Sequence, residues 1–158
     1  MSLPKLLLAL VVALFSFSAE ATNPAVYEKS ARLPLAKAVQ LLSRQLDGAG
    51  YAVVDELPIS ENLKRMAKKW GDDYNRNKLE GIISLVFCSG WYANQVSNLD
   101  PALLGLCPLH VTLTHRAGVT TALFNRPSAI AIGSPAEKVL REVEGEVTQA
   151  IETALNVK

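Results

Sequence analysis

The 158-residue chain carries 16 lysines and arginines against 15 acidic residues, and a net charge of +1 gives no basis for a nucleic-acid or polyanion partner. Hydrophobic residues make up 49% of it and no low-complexity stretch interrupts them, which excludes a disordered chain. Beyond the N-terminal segment about 137 residues remain, enough for one domain with a substantial core rather than two.

The chain opens with Met1-Ser-Leu-Pro-Lys5, a short basic region, followed by an apolar run from Leu6 to Phe17. Ala19 and Ala21 then occupy the positions that signal peptidase reads. This layout predicts a signal peptide over residues 1–21, cut after Ala21 to leave Thr22 as the new N-terminus. The run is shorter than the roughly 20 residues a membrane span requires, and no cysteine follows it to carry a lipid. The expected location is therefore periplasmic or secreted, with no stable membrane insertion after cleavage.

Residues 22–31 read as an irregular or extended lead-in. After Pro34, Leu35, Val39, Leu42 and Leu46 fall on one helical face, and Gly48 and Gly50 end that helix. Tyr51 to Leu57 predicts a strand. Ser60 is a suitable N-cap for a second helix, with Leu63, Met66, Ala67 and Trp70 on its apolar face and Gly71 as its stop. Asp72 to Lys78 is a polar loop. The unbroken apolar run Ile82 to Phe87 predicts a central strand covered on both sides, with Cys88 at its end. A short helix through Trp91 to Val96 and a turn at Asn98 to Pro101 follow. Leu109, Val111 and Leu113 alternate with His110, Thr112 and Thr114, and Val119 to Asn125 returns after Ala117-Gly118, which predicts a hairpin. Arg126-Pro127 breaks it, and Ile130 and Ile132 lie in a short connection. Ser134-Pro135-Ala136-Glu137 then starts a long helix with a capping box, and Val139, Val143, Val147, Ala150, Ile151 and Ala154 form its buried stripe. Helices at both ends of an antiparallel hairpin predict an α+β domain: a mainly antiparallel sheet with helices packed on it, one compact unit over residues 22–158.

Four local features together resemble the family called domain of unknown function 302. They are the helix running into Gly50-Tyr51-Ala52-Val53-Val54-Asp55-Glu56-Leu57, the strand Ile82-Ile83-Ser84-Leu85-Val86-Phe87-Cys88, the lead Leu104-Gly105-Leu106-Cys107-Pro108-Leu109, and the stop Phe124-Asn125-Arg126-Pro127 before a closing helix. The likeness runs from about Ser30 to Leu155. Cys88-Ser89-Gly90-Trp91 stands where the family has a Gly-Asn-Pro or Cys-Asn-Pro turn, and Arg126 replaces an acidic residue. The resemblance implies a compact α+β sheet domain, is compatible with a homodimer, and implies no agreed reaction.

Cys88 and Cys107 have 18 residues between them. In an oxidising compartment an even cysteine count suggests a disulfide, which would require Cα atoms roughly 4.4–6.8 Å apart. The same pair is open to a thiol-dependent redox or sulfur-handling reading. A redox site usually places Cys-x-x-Cys at a helix N-terminus, where the thiol pKa falls, and these cysteines instead lie far apart at strand ends. A metal site joining them to His110 has only three ligands and an odd strand offset, so no metal and no cofactor are expected. His110 and His115 fall on opposite faces of a regular strand. Ser89-Gly90 lacks a nucleophile elbow, and Asp55-Glu56 and Asp72-Asp73 are adjacent carboxylates of the solvated kind. Trp91, Tyr92 and Asn94 follow the end of the apolar strand, where open sheets often bind ligands. With His110 they are the candidate ligand-binding residues, although Trp91 and Tyr92 also suit a core-capping role. These observations favour an exported domain that binds a small molecule or a protein, with no catalytic constellation.

Overall fold

In the computed structural model the described residues are 23–156. The signal peptide expected over residues 1–21 lies outside them. A five-stranded sheet of order β1-β5-β4-β3-β2 is antiparallel throughout and carries its main helices on one face. Its strands are β1 (Val26–Ala31), β2 (Ala52–Leu57), β3 (Gly81–Cys88), β4 (Leu109–Arg116) and β5 (Val119–Asn125). The helices are α1 (Leu35–Gly48), α2 (Ile59–Lys64), α3 (Ala67–Trp70), α4 (Gly90–Leu99), α5 (Pro127–Ile130) and α6 (Glu137–Leu155). A 3-10 segment, Pro101–Leu106, joins α4 to β4. This is the α+β architecture that the alternation of elements predicted.

The period-two pattern sets the core. Leu85 and Phe87 of β3, Val111 and Leu113 of β4, and Ala122 and Phe124 of β5 share the helix-covered face. Ala38, Leu42 and Leu46 of α1 pack on them together with Val143, Val147, Ile151 and Ala154 of α6. Each fully buried aliphatic side chain there contributes about 1.5–3 kcal/mol. The opposite face of the sheet bears half-buried Ile82, Val86, Thr114, Val119 and Leu123.

Local signals explain the boundaries. Gly50, at φ +84°, closes α1 in a Schellman motif: Tyr51 N–H donates to Leu46 O at 2.9 Å and Gly50 N–H to Asp47 O at 3.0 Å. The cap turns Tyr51 straight into the core. Ala117 and Gly118, at φ +49° and +76°, form the two-residue turn of the β4–β5 hairpin, whose left-handed centre matches the twist of the strands. At the start of α6 the capping box is realised one residue out of frame. Ser134 Oγ accepts from Ala136 N–H at 3.1 Å, Glu137 Oε2 accepts from Gly133 N–H at 2.7 Å, and the helix begins at Glu137.

Three expectations change. The lead-in contains β1, an edge strand whose inward residue Lys29 is neutralised by Glu152 of α6 at 2.6 Å. The expected second helix is two short ones, α2 and α3, with no fully buried residue: α2 lies against β3, and Leu63, Met66 and Ala67 of the expected stripe are only half-buried. Ser60 lies within α2 rather than capping it and donates to Ile82 O at 3.4 Å. β3 is second from the edge and β4 holds the centre; one face of β3 is packed, and Ile82 and Val86 on the other are only half covered.

Candidate functional site

At the C-terminal end of β3 the elements leave a small apolar pocket of about 40 Å³. Phe87 and Cys88 form its floor with Tyr51, and Tyr92 and Val96 of α4 form one side. Leu140 and Val143 of α6 close the back, and Leu103, Leu104 and Leu106 of the 3-10 segment make the outer wall. Ser89 and Cys107 stand among the lining residues with Cys88.

The two thiols meet here. Cys88 Sγ lies 3.0 Å from Cys107 Sγ, so that about 1 Å of movement would bring them to bonding distance. Cys107 is exposed and Cys88 half-buried. Desolvation of the Cys107 sulfur and the Cys88 thiol beside it push the Cys107 pKa up to about 11. That direction is opposite to the one an activated nucleophilic thiolate needs.

Two tyrosines anchor the pocket to α6. Tyr51 is buried, meets Phe87 edge-on at 5.7 Å and stacks on Tyr92 at 6.0 Å. Tyr51 Oη donates to Glu146 Oε2 and Tyr92 Oη to Glu146 Oε1, both at 2.8 Å. Burial first, then the hydrogen bond to Glu146 and its charge, raise both phenols; Tyr92 reaches about 12 and Tyr51 goes higher. No local sequence signal marks this arrangement, since Glu146 lies 95 positions from Tyr51 and reads as an ordinary exposed helix residue.

The structure separates the sequence-derived candidates. Tyr92 lines the pocket. Trp91 is 68% exposed and caps no core. Asn94 is exposed on α4 and does not line the pocket. His110 is exposed on the open sheet face, opposite Val86. His115 sits at the far end of β4, where Nδ1 pairs with Thr120 Oγ1 at 2.8 Å. Thr120 Oγ1 in turn donates to Leu33 O at 2.6 Å, so the imidazole supplies the proton of the first bond. Among the described residues no three of His, Cys, Asp and Glu gather closely enough to hold a metal ion, and Cys88, Cys107 and His110 do not form such a group. Ser89 is the N-cap of α4 without a side-chain cap hydrogen bond. Asp55 Oδ1 accepts from the neighbouring Glu56 N–H, and Asp73 pairs with Arg76, so neither acidic pair forms a dyad.

A second, wider cleft of about 880 Å³ lies on the open sheet face among Val26, Glu28, Thr114, Arg116 and Leu123. Its lining mixes polar and apolar groups, and Arg116 is engaged with Asn77 O at 3.2 Å. Among the described residues no helix is long and apolar enough to cross a membrane.

The family model described as Domain of unknown function DUF302 matches residues 27–156. Among solved structures, the chain is similar to a crystal structure of an uncharacterized conserved DUF302 protein from Bacillus stearothermophilus. That likeness has a TM-score of 0.71 and 14% identity, covers 84% of this chain and 99% of the other, and concerns the fold alone. No curated protein matches the sequence.

Proposed function

The chain belongs to the family of domain of unknown function DUF302, and from that premise we propose that it is an exported, non-catalytic binding domain whose seat is the apolar pocket at the end of β3. The observation that carries the reading is the pocket lining: Val96, Leu103, Leu104, Leu140 and Val143 converge on the stacked Tyr51 and Tyr92, whose polar hydroxyls are turned away to Glu146. An apolar surface with few polar groups is the usual make-up of a small-ligand site. The ligand class that fits is a small molecule presenting an alkyl or aromatic end. The N-terminal Lys5, the apolar run and Ala19-x-Ala21 support export. In that compartment Cys88 and Cys107, whose sulfurs lie 3.0 Å apart, are placed to form a disulfide.

Benzene, indole and n-hexanol serve as probes in a thermal-shift titration under reducing and oxidising conditions. Saturable stabilisation by one of them, abolished by Val96→Trp, supports the reading. Absence of stabilisation by all three in both conditions refutes it.

A further inference from the structure

We propose that the Cys88–Cys107 pair is a redox latch on this pocket: bonded, it holds the Pro101–Leu106 wall against the end of β3, and reduced, it lets the wall move outward and admit an apolar ligand. The inference rests on the pocket reading above.

The size of the cavity requires some movement. About 40 Å³ is little more than the volume of one water molecule, whereas sites for small organic ligands run to about 300 Å³ and more. Most of the walls are fixed. Tyr51 and Phe87 are fully buried in the main core, and Leu140 and Val143 belong to the stripe of α6. The 3-10 segment differs, since none of its residues is buried. Its N-terminal end is held at Asp100, which accepts from Ala102 N–H at 3.3 Å and from the Ser134 hydroxyl at 2.7 Å. Cys107 caps its C-terminal end, and the sulfur opposite belongs to Cys88 at the end of a strand paired on both sides. A bond between the two sulfurs therefore ties the least buried wall to one of the most rigid.

The chemistry is thiol–disulfide exchange with a small disulfide or a disulfide-carrying oxidoreductase. The Cys107 thiol, the more exposed, gives its proton to solvent base, a step that its raised pKa slows, and attacks one sulfur of the donor; the donor S–S bond breaks and one donor thiolate leaves. Cys88 then attacks the Cys107 sulfur and expels the second donor thiolate. Two protein thiols are oxidised, one donor disulfide is reduced to two thiols, and the two protons pass to those thiols. A dithiol reductant reverses the sequence and opens the latch. Because the ligand favours the open form, linkage makes the effect reciprocal: ligand binding favours reduction by the same factor.

The test measures indole binding to the purified protein equilibrated with glutathione disulfide or with dithiothreitol, the bridge being scored by mass. The reduced protein is expected to bind about 10-fold more tightly, within the usual range of coupling. Saturating indole is then expected to shift the midpoint of the dithiol–disulfide equilibrium by about 30 mV toward the thiols. The double variant Cys88→Ser, Cys107→Ser should bind as the reduced protein does in both buffers; Cys107→Ala, which keeps the less exposed sulfur, is the second variant should the first fail to fold. Equal affinity in the two buffers with the bridge formed overturns the latch and leaves the pocket standing. Failure of the bridge to form also overturns the latch. No binding in any state overturns the pocket, and the latch with it.

Discussion

Removing one hydroxyl tests how the pocket is anchored. Tyr51→Phe keeps the buried ring with its edge contact to Phe87 and its stack on Tyr92, and deletes only the bond to Glu146 Oε2. A hydrogen bond to a charged acceptor is worth about 1.5–3 kcal/mol net. Glu146 is exposed and retains the Tyr92 bond on its other oxygen, so the expected cost lies at the lower end, about 1.5 kcal/mol. Tyr92→Phe removes a more exposed hydroxyl and should cost about 0.5 kcal/mol. Urea titrations give both values from the midpoint at constant slope. The raised phenol pKa values add a signature in pH. A tyrosine whose folded pKa lies above its unfolded value of about 10 stabilises the fold fully below that pH and loses the contribution as pH rises through the folded value. Wild-type stability should therefore begin to fall above about pH 10 and continue past pH 12, with Tyr27, also raised to about 12, contributing beside Tyr92 and Tyr51. Tyr51→Phe should flatten that limb. A neutral Tyr51→Phe with an unchanged alkaline limb would refute the reasoning.

Other consequences follow from single contacts. Closing the loop between Cys88 and Cys107 should make the oxidised protein about 3 kcal/mol more stable than the reduced one by the chain-entropy estimate, read as the difference between urea curves with and without reductant. Burial of the Glu144 carboxyl raises its pKa, but hydrogen bonds from Ser128 and Arg126, with the Arg126 charge, outweigh it and leave the value lowered. Glu144→Gln should cost about 1–2 kcal/mol at neutral pH. The wild-type contribution is present above the ordinary glutamate pKa and lost as pH falls through the lowered one, so the variant should show a shallower acid limb. A Cβ at Gly81 would meet Leu35 Cδ2, the far end of a half-buried side chain that can turn aside; Gly81→Ala should therefore cost no more than about 1 kcal/mol, and Leu35→Ala should cost less in that background than in the wild type.

Much of the fold was legible because its elements announce themselves locally. The stripe of α6, the glycine stop of α1 and the Ala117-Gly118 turn are each written in a few adjacent residues. β1 was hidden because its core-facing row, Tyr27, Lys29 and Ala31, includes a lysine that only Glu152, 123 positions away, makes tolerable. The apolar spacing of Leu63, Met66, Ala67 and Trp70 suggested one helix, yet the helix breaks between Lys64 and Ala67, so the face is only half-buried and Trp70 stays 39% exposed. The candidate site was legible in part. The even cysteine count suggested pairing Cys88 with Cys107, whose sulfurs lie 3.0 Å apart, and Tyr92, which follows the end of β3, lines the apolar pocket there. Trp91 follows the same reasoning but falls on the outer side of α4, because helical rotation separates neighbours by about 100°. The leucines of Pro101–Leu106 and the Tyr51–Glu146–Tyr92 arrangement arise from tertiary packing, on which local periodicity is silent.

Methyl and aromatic chemical-shift mapping by NMR during titration of the reduced protein with indole addresses the seat of binding directly. The account predicts saturable shifts at Val96, Leu103, Leu104 and Tyr92, with Val119 and Leu123 on the open sheet face unmoved. Shifts confined to Val119 and Leu123, or scattered without saturation, would contradict it.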